Sequence, residues 1–270
     1  IVPALEFPIS DNGRLELRYR LGQSKIKDVE RGKVDDPKTP EDETLPASST
    51  ILWDEEDQGS PVSSGIGYTY SYDTRITGLN PRGGVLLRFG QDYAGLGGDI
   101  ESVTTTALAL AETKVFNEDV TIRAVFEGGA VNMLNGGVSR VTERFFANGK
   151  IRGFEPNGIG PRDLTADNED ALGGNLFAVA RLEADFPLGL PEEYGIEGGL
   201  FFDVGSVWSL DNVAGTGGPV DDDFHLRSAI GFSIFWTTPV GPLRFNFAKA
   251  LRKESYDLEQ TFDLTISTKF

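Results

Sequence analysis

IGFSIFWTTPVGPLRFNFAKAL, Ile230 to Leu251, decides the fold of this chain. Ile230, Phe232, Ile234 and Trp236 alternate with Ala229, Gly231, Ser233 and Phe235; beyond the turn Pro239-Val240-Gly241, Leu243, Phe245 and Phe247 alternate with Arg244, Asn246 and Ala248. A period of two puts successive side chains on opposite faces of a strand, so the stretch reads as a hairpin with one apolar and one mainly small or polar face. The pattern continues outward. Phe262, Leu264, Ile266 and Phe270 oppose Asp263, Thr265, Ser267 and Lys269, and Val120, Ile122, Ala124 and Phe126 oppose Thr121, Arg123 and Glu127. No stretch has a comparable helical period. The alternation predicts about eleven strands, near residues 2–9, 14–27, 62–75, 84–94, 99–116, 119–131, 174–187, 194–209, 224–238, 242–252 and 257–270.

The connections sort by position. Every odd-numbered one is short or moderate and rich in turn residues, as in Ser10-Asp11-Asn12-Gly13, Asn80-Pro81-Arg82-Gly83 and Asn117-Glu118-Asp119. The even-numbered ones, about 28–61, 95–98, 132–173, 211–223 and 253–256, include all the long segments, and residues 28–61 alone hold eleven acidic and three basic side chains. In an antiparallel meander alternate connections share an end. Long acidic loops at one end and tight turns at the other are the asymmetry of a transmembrane antiparallel β-barrel, with extracellular loops and periplasmic turns. A soluble up-and-down sheet alternates too, but its outward face is polar. Here Phe201, Phe202, Trp208, Phe224, Phe235 and Trp236 are candidates for aromatic girdles at the membrane interfaces. Arg123, Glu127, Arg181, Glu183, Asp185, Asp203, Arg227 and Arg244 fall on the opposite face, more charge than a dry core tolerates, so that face is expected to line a lumen. The strand directions carry a further expectation. With the long loops outside, the first strand runs inward and leaves Ile1 at the extracellular end, whereas an intact bacterial barrel has an even strand number and both termini in the periplasm; the chain is therefore expected to be the C-terminal part of a longer one.

Composition narrows the function classes. The absence of cysteine excludes disulfides and thiolate metal sites. A formal charge of −17 gives no attraction to nucleic acid or to an anionic surface. His225 is the only histidine, there is no G-x-S-x-G elbow, and the glycine runs at 95–98 and 215–218 match neither a P-loop nor a dinucleotide fingerprint. The runs Asp54 to Asp57 and Asp221 to Asp223 lack the spaced ligands of a calcium loop and read as solvated charge. No covalent catalysis, cofactor or metal is expected.

The segment RFFANGKIRGFEPNGIGPRD, 144–163, is too long and irregular for a turn and too apolar for a disordered linker, with Phe145, Phe146, Ile151, Phe154 and Ile159 as anchors. It is expected to pack. Arg152 stands between Ile151 and Gly153, and the glycine lets the backbone come close enough to aim the arginine at a partner. On its own, Arg-Gly-Phe is also an ordinary loop tripeptide.

Three segments carry a resemblance to the Omp85 family of outer-membrane assembly proteins. RFFANGKIRGFEPNGIGPRD (144–163) resembles the family's loop 6, GGNLFAVARLEADFP with GGLFFDVGSVW (173–187 and 198–208) the two strands after it, and IGFSIFWTTPVGPLRFNFAKAL through TFDLTISTKF (230–270) the closing strands and C-terminal signal. The resemblance implies that residues 1–270 are part of a barrel of about sixteen strands, with the first strands and the POTRA domains outside this chain. It implies a loop 6 motif at Ile151, Arg152, Gly153 and Phe154, with the arginine paired in the lumen to Glu183 and Asp203; strand parity independently turns both acids to the charged face. It implies a C-terminal signal and gate strand at Phe262, Leu264, Ile266 and Phe270, although Ser267 stands where the family often has a glycine that kinks the last strand. The expected function is an insertase of the bacterial outer membrane, whose partners are unfolded outer-membrane protein clients, the lipoproteins of the BAM assembly complex and the lipid bilayer, with no nucleic acid. The alternatives are a TamA-like or two-partner secretion transporter within the family, or a passive diffusion porin.

Overall fold

The computed structural model describes residues 1–31, 47–75, 83–116, 119–238 and 241–266. Eleven strands form one antiparallel sheet in chain order: β1 (Ala4–Pro8), β2 (Gly13–Gln23), β3 (Val62–Asp73), β4 (Gly84–Ala94), β5 (Ser102–Val115), β6 (Val120–Met133), β7 (Leu176–Pro187), β8 (Ile196–Trp208), β9 (Arg227–Thr238), β10 (Gly241–Arg252) and β11 (Phe262–Ile266). Among the described residues β1 and β11 are the two edges, and the sheet is not closed. Each strand pairs with its neighbours in sequence, so the connections fall alternately at the two ends, the long ones together. The alternation legible in the sequence becomes two chemically different faces. Leu17, Tyr19, Leu87, Phe89, Leu182, Phe202, Ile230, Phe232 and Leu264 stand exposed on one. The other takes the 144–163 segment over β7, β8 and β9, and is the inner face below.

The core is made by that segment. Ala147, Ile151, Phe154 and Ile159 are buried against Phe177 and Val179 of β7, Val207 of β8 and Ala229 of β9. Each of the larger side chains, Ile151, Phe154, Ile159, Phe177, Val179 and Val207, contributes about 1.5–3 kcal/mol when removed from water, so the loop holds the sheet as much as the sheet holds the loop. A second cluster caps the long-loop end, where Ile51, Leu172, Leu210 and Val220 meet from three different connections.

Four expectations need correction. A helix, α1 (Thr50–Asp57), lies inside the 28–61 loop, where no helical period was visible. It has only eight residues, and it is held by Ser49 at its N-cap and by burial of Ile51 and Glu55, which are tertiary effects. Phe201 and Phe235 do not belong to an outward girdle: both point to the inner face, beneath Arg152 and Arg244. Phe202 and Trp236 do face outward, and Phe224 packs edge-on against Trp208. β11 begins at Phe262 and not at 257, because residues 258–260 hydrogen-bond to the 153–158 backbone. The Asp54 to Asp57 run is not all solvated, since Glu55 is 2% exposed. Strand ends also shift elsewhere, β2 stopping at Gln23 and β9 starting at Arg227, where Arg227 and Ser206 both donate to the His225 carbonyl. Ser267 and Phe270 lie outside the described residues.

Candidate functional site

The inner face of β7–β10 is shaped to take the Ile151-Arg152-Gly153-Phe154 turn. Inward positions on β9 and β10 are small, Ala229, Ala248 and Ala250, and Gly153 sits directly on them. Its φ is +92°, and a Cβ there would lie 3.2 Å from the Ala229 Cβ and 3.3 Å from the Ala248 Cβ. Only glycine combines that backbone conformation with that contact. Ile151 and Phe154 on either side fill the apolar cluster, so the turn is pinned and Arg152 is projected toward β7 and β8.

Arg152 meets two carboxylates. Its Nε donates to Asp203 Oδ2 at 2.7 Å, its Nη2 to Asp203 Oδ1 at 2.6 Å and its Nη1 to Glu183 Oε2 at 2.5 Å, while its backbone N–H adds a 3.0 Å bond to Asp203 Oδ2. The planar guanidinium matches the Asp203 carboxylate as a fork and reaches Glu183 with the remaining arm. Its flat face lies 3.6 Å from the centroid of Phe201. That ring occupies space left by Gly231, its register partner on β9. Asp203 is fully buried, so its charge is tolerated only because these donors replace water.

Glu183 is a hub. Beyond Arg152 it accepts from Arg123 Nη1 at 2.9 Å and from both Nη atoms of Arg244. Arg123 also bonds Glu112 at 2.8 Å and Asp185 at 3.3 Å, and Arg181 pairs with Glu127, which Lys150 of the loop also reaches. The charges on this face are therefore largely cross-neutralised. Strand parity placed Arg123, Glu183, Asp203 and Arg244 on one face, but only the tertiary structure shows which carboxylate collects three arginines.

The loop-end cap contains a second set that sequence reading missed. Arg144, fully buried, donates to Glu55 Oε1 at 2.7 Å, to Ser139 Oγ at 3.1 Å and to the Leu172 carbonyl at 3.1 Å. Burial pushes the Glu55 carboxyl up despite Arg144 and the Val141 N–H, and burial likewise draws the Arg144 guanidinium down. Asp163 ties three loops together. It accepts from Ser49 Oγ at 2.7 Å, Thr165 Oγ1 at 2.6 Å, and the N–H groups of Thr165 and Thr216 at 3.1 and 2.9 Å. Burial works to raise its pKa, but those hydrogen bonds outweigh burial and hold the carboxyl down to about 2. The sole histidine, His225, contacts Asp221 at 2.8 Å, and Asp222 accepts from the Leu210 N–H, so the 221–223 run is partly engaged as well. Nothing in the sequence signals the Glu55–Arg144 partnership, because its members are 89 residues apart on irregular segments.

Comparison with known proteins identifies the family and the fold. The model of the Omp85 superfamily domain matches residues 2–270. The chain is 32% identical over 267 residues, 99% of its length, to the outer membrane protein assembly factor BamA of Neorickettsia risticii, and covers 33% of that protein. It is 30% identical over 150 residues, 54% of its length, to the human sorting and assembly machinery component 50 homolog, covering 31% of it. The chain thus spans about a third of the length of these relatives. Its fold matches the crystal structure of BamA from Haemophilus ducreyi lacking POTRA domains 1–3 with a TM-score of 0.76, at 20% identity, over 97% of this chain and 52% of that one. An eleven-stranded antiparallel meander with an apolar outer face, a charged inner face and a loop sealed into it, matched to the family over nearly its whole length, is a piece of a transmembrane barrel: the chain belongs to the Omp85 superfamily and is similar to the C-terminal barrel part of BamA.

Proposed function

We propose that this chain is the membrane-embedded part of an outer-membrane protein assembly factor, which takes unfolded outer-membrane polypeptides and promotes their strand-by-strand folding into the bilayer. What carries the reading is the match of nearly the whole chain to a third of a protein named for that role, together with the 144–163 loop seated on the inner face through Arg152. The work is not covalent chemistry. An incoming strand must not leave backbone N–H and C=O groups unpaired in hydrocarbon, where each costs several kcal/mol. An edge strand supplies those partners, and among the described residues β11 is one edge of the sheet. A passive porin would also fold a loop inward, and POTRA domains ahead of the barrel would distinguish the two. On this reading the protein resides in the bacterial outer membrane and works with lipoproteins of the BAM assembly complex.

The test uses the full-length protein in liposomes and an unfolded barrel client. The parent is expected to accelerate client folding over empty liposomes, and Arg152→Glu, which sets a third acid against Glu183 and Asp203, to slow it about tenfold, the rate equivalent of about 1.4 kcal/mol. No acceleration by the parent would overturn the assembly reading.

A further inference from the structure

The loop holds β11 as well as the strands beneath it, by two separate routes. The first is backbone pairing at the root of β11. Gln260 N donates to the Gly153 carbonyl at 3.1 Å, Glu155 N to the Leu258 carbonyl at 2.9 Å and Leu258 N to the Gly158 carbonyl at 3.0 Å, so residues 258–260 run beside the loop just before the strand begins. The second is a side-chain relay across the inner face. Glu183, which takes Arg152 on one oxygen, also takes Arg244 of β10. Arg244 Nε donates to Asn246 Oδ1 at 2.8 Å, and Asn246 Nδ2 donates to Asp263 Oδ2 of β11 at 3.1 Å. Asn246 and Asp263 are direct register partners. Asn246 is buried, and Ser233 of β9 also donates to its Oδ1 at 2.7 Å, which fixes the amide so that its NH2 faces Asp263. Thr265 closes the far end by donating to the same Asp263 oxygen at 3.0 Å.

From this we infer that Arg244, Asn246 and Asp263 are positioning residues that couple the docking of the Ile151–Phe154 turn to the register of β11. The physical reason is that one inward side-chain contact marks the register. Among the described residues β11 meets β10 over five register pairs, Leu243–Ile266 to Phe247–Phe262, and of these Asn246–Asp263 is joined through its side chains. A one-residue slip would turn Asp263 from the polar inner face to the apolar outer one. The relay penalises that slip only while Glu183 and Arg244 are held, and Arg152 is one of their anchors. With the loop seated, both routes hold β11; with Arg152 withdrawn, Glu183 loses one of its three arginines and the backbone pairing of residues 258–260 with the loop loosens, so both routes weaken together. The inference goes beyond the assembly reading, and its test needs no client.

Coupling between two sites must be reciprocal, and both directions are measurable in the full-length protein in lipid. This chain has no cysteine. In an otherwise cysteine-free background, Phe245→Cys with Leu264→Cys, register partners on β10 and β11, reports strand pairing by its rate of disulfide formation. Trypsin cleavage after Lys150 reports loop docking. Arg152→Ala is expected to slow the disulfide, and Asn246→Ala to speed cleavage, each by about fivefold or more. A second pair, Leu87→Cys with Ala109→Cys on β4 and β5, should keep its parent rate. Should Asn246→Ala fail to assemble, Arg244→Lys takes its place, since it keeps the charge beside Glu183 but lacks the fork that also reaches Asn246. Either readout staying within about twofold of the parent, or the β4–β5 pair slowing as much as the β10–β11 pair, would overturn the coupling.

Discussion

Asp203 depends on the arginine that marks the site. It is fully buried, and the described donors to its carboxylate all come from Arg152. A buried ion pair gains little over an apolar pair of similar shape, but removing one partner strands the other's charge. Arg152→Ala is therefore expected to cost about 3 kcal/mol in loop docking, and Arg152→Lys to restore less than half, because an ammonium cannot span Asp203 and Glu183 with a planar fork. Urea-dependent protease protection of the 144–163 loop measures both, and full protection in Arg152→Ala would show the contacts to be idle. Asp163 gives a pH prediction. Its carboxyl titrates at about 2 in the folded protein against an ordinary 3.8. The stabilisation is thus complete above about pH 4 and is lost as the pH falls toward 2. Hydrogen exchange at α1 and at residues 163–165 should rise across that window in the parent. In Asp163→Asn the exchange should already be high at pH 5 and change less on acidification, and identical profiles for the two would remove Asp163 from the cap. The sequence announced Arg152 through its glycine and its apolar flanks. It was silent about Asp163, whose four donors come from three connections that meet only after folding.

At the level of elements, strands were legible and the helix was not. A strand between lipid and a polar interior must alternate residue by residue, so β3, β4 and β9 can be read from a dozen residues each. Helix α1 has no such local requirement. Its amphipathicity amounts to Ile51 and Glu55 turned inward, one into a cluster with Leu172, Leu210 and Val220 and the other onto Arg144. Pairs of elements were partly legible too. Gly231 looked like one more small inward residue of β9. In the folded sheet it has a specific role, because a Cβ would fall 2.1 Å from the Phe247 carbonyl and 2.4 Å from Phe201 Cζ. Gly231→Ala is expected to push Phe201 from beneath Arg152 and to destabilise the barrel by about 2–3 kcal/mol, since the carbonyl belongs to a paired strand and cannot yield. A heat-modifiability gel, in which the folded form migrates faster, gives the shift in unfolding temperature. An unchanged temperature with intact loop protection would mean that β9 and β10 absorb the methyl group.

At the scale of the whole molecule the ordinary arrangement is inverted, with the large apolar side chains outside and the charges within. Leu87, Phe89, Leu182, Leu200, Phe202, Ile230 and Phe232 make an outer surface that water penalises and lipid does not. The protein is expected to stay in solution only with detergent or lipid and to show a β-type circular dichroism spectrum there; a detergent-free soluble monomer would contradict the barrel. By itself the sequence determined the strand number, the two-faced character of the sheet, the end at which the long loops gather and the family, because each follows from the side-chain period or from segments read locally. Only the tertiary structure decided that the core is the 144–163 loop itself, that Glu183 gathers three arginines, that residues 258–260 leave β11 to pair with the loop, and that Glu55 is buried against Arg144. These are contacts between residues 31 to 107 positions apart. Alternation records which face a side chain takes, but not which distant side chain it meets there.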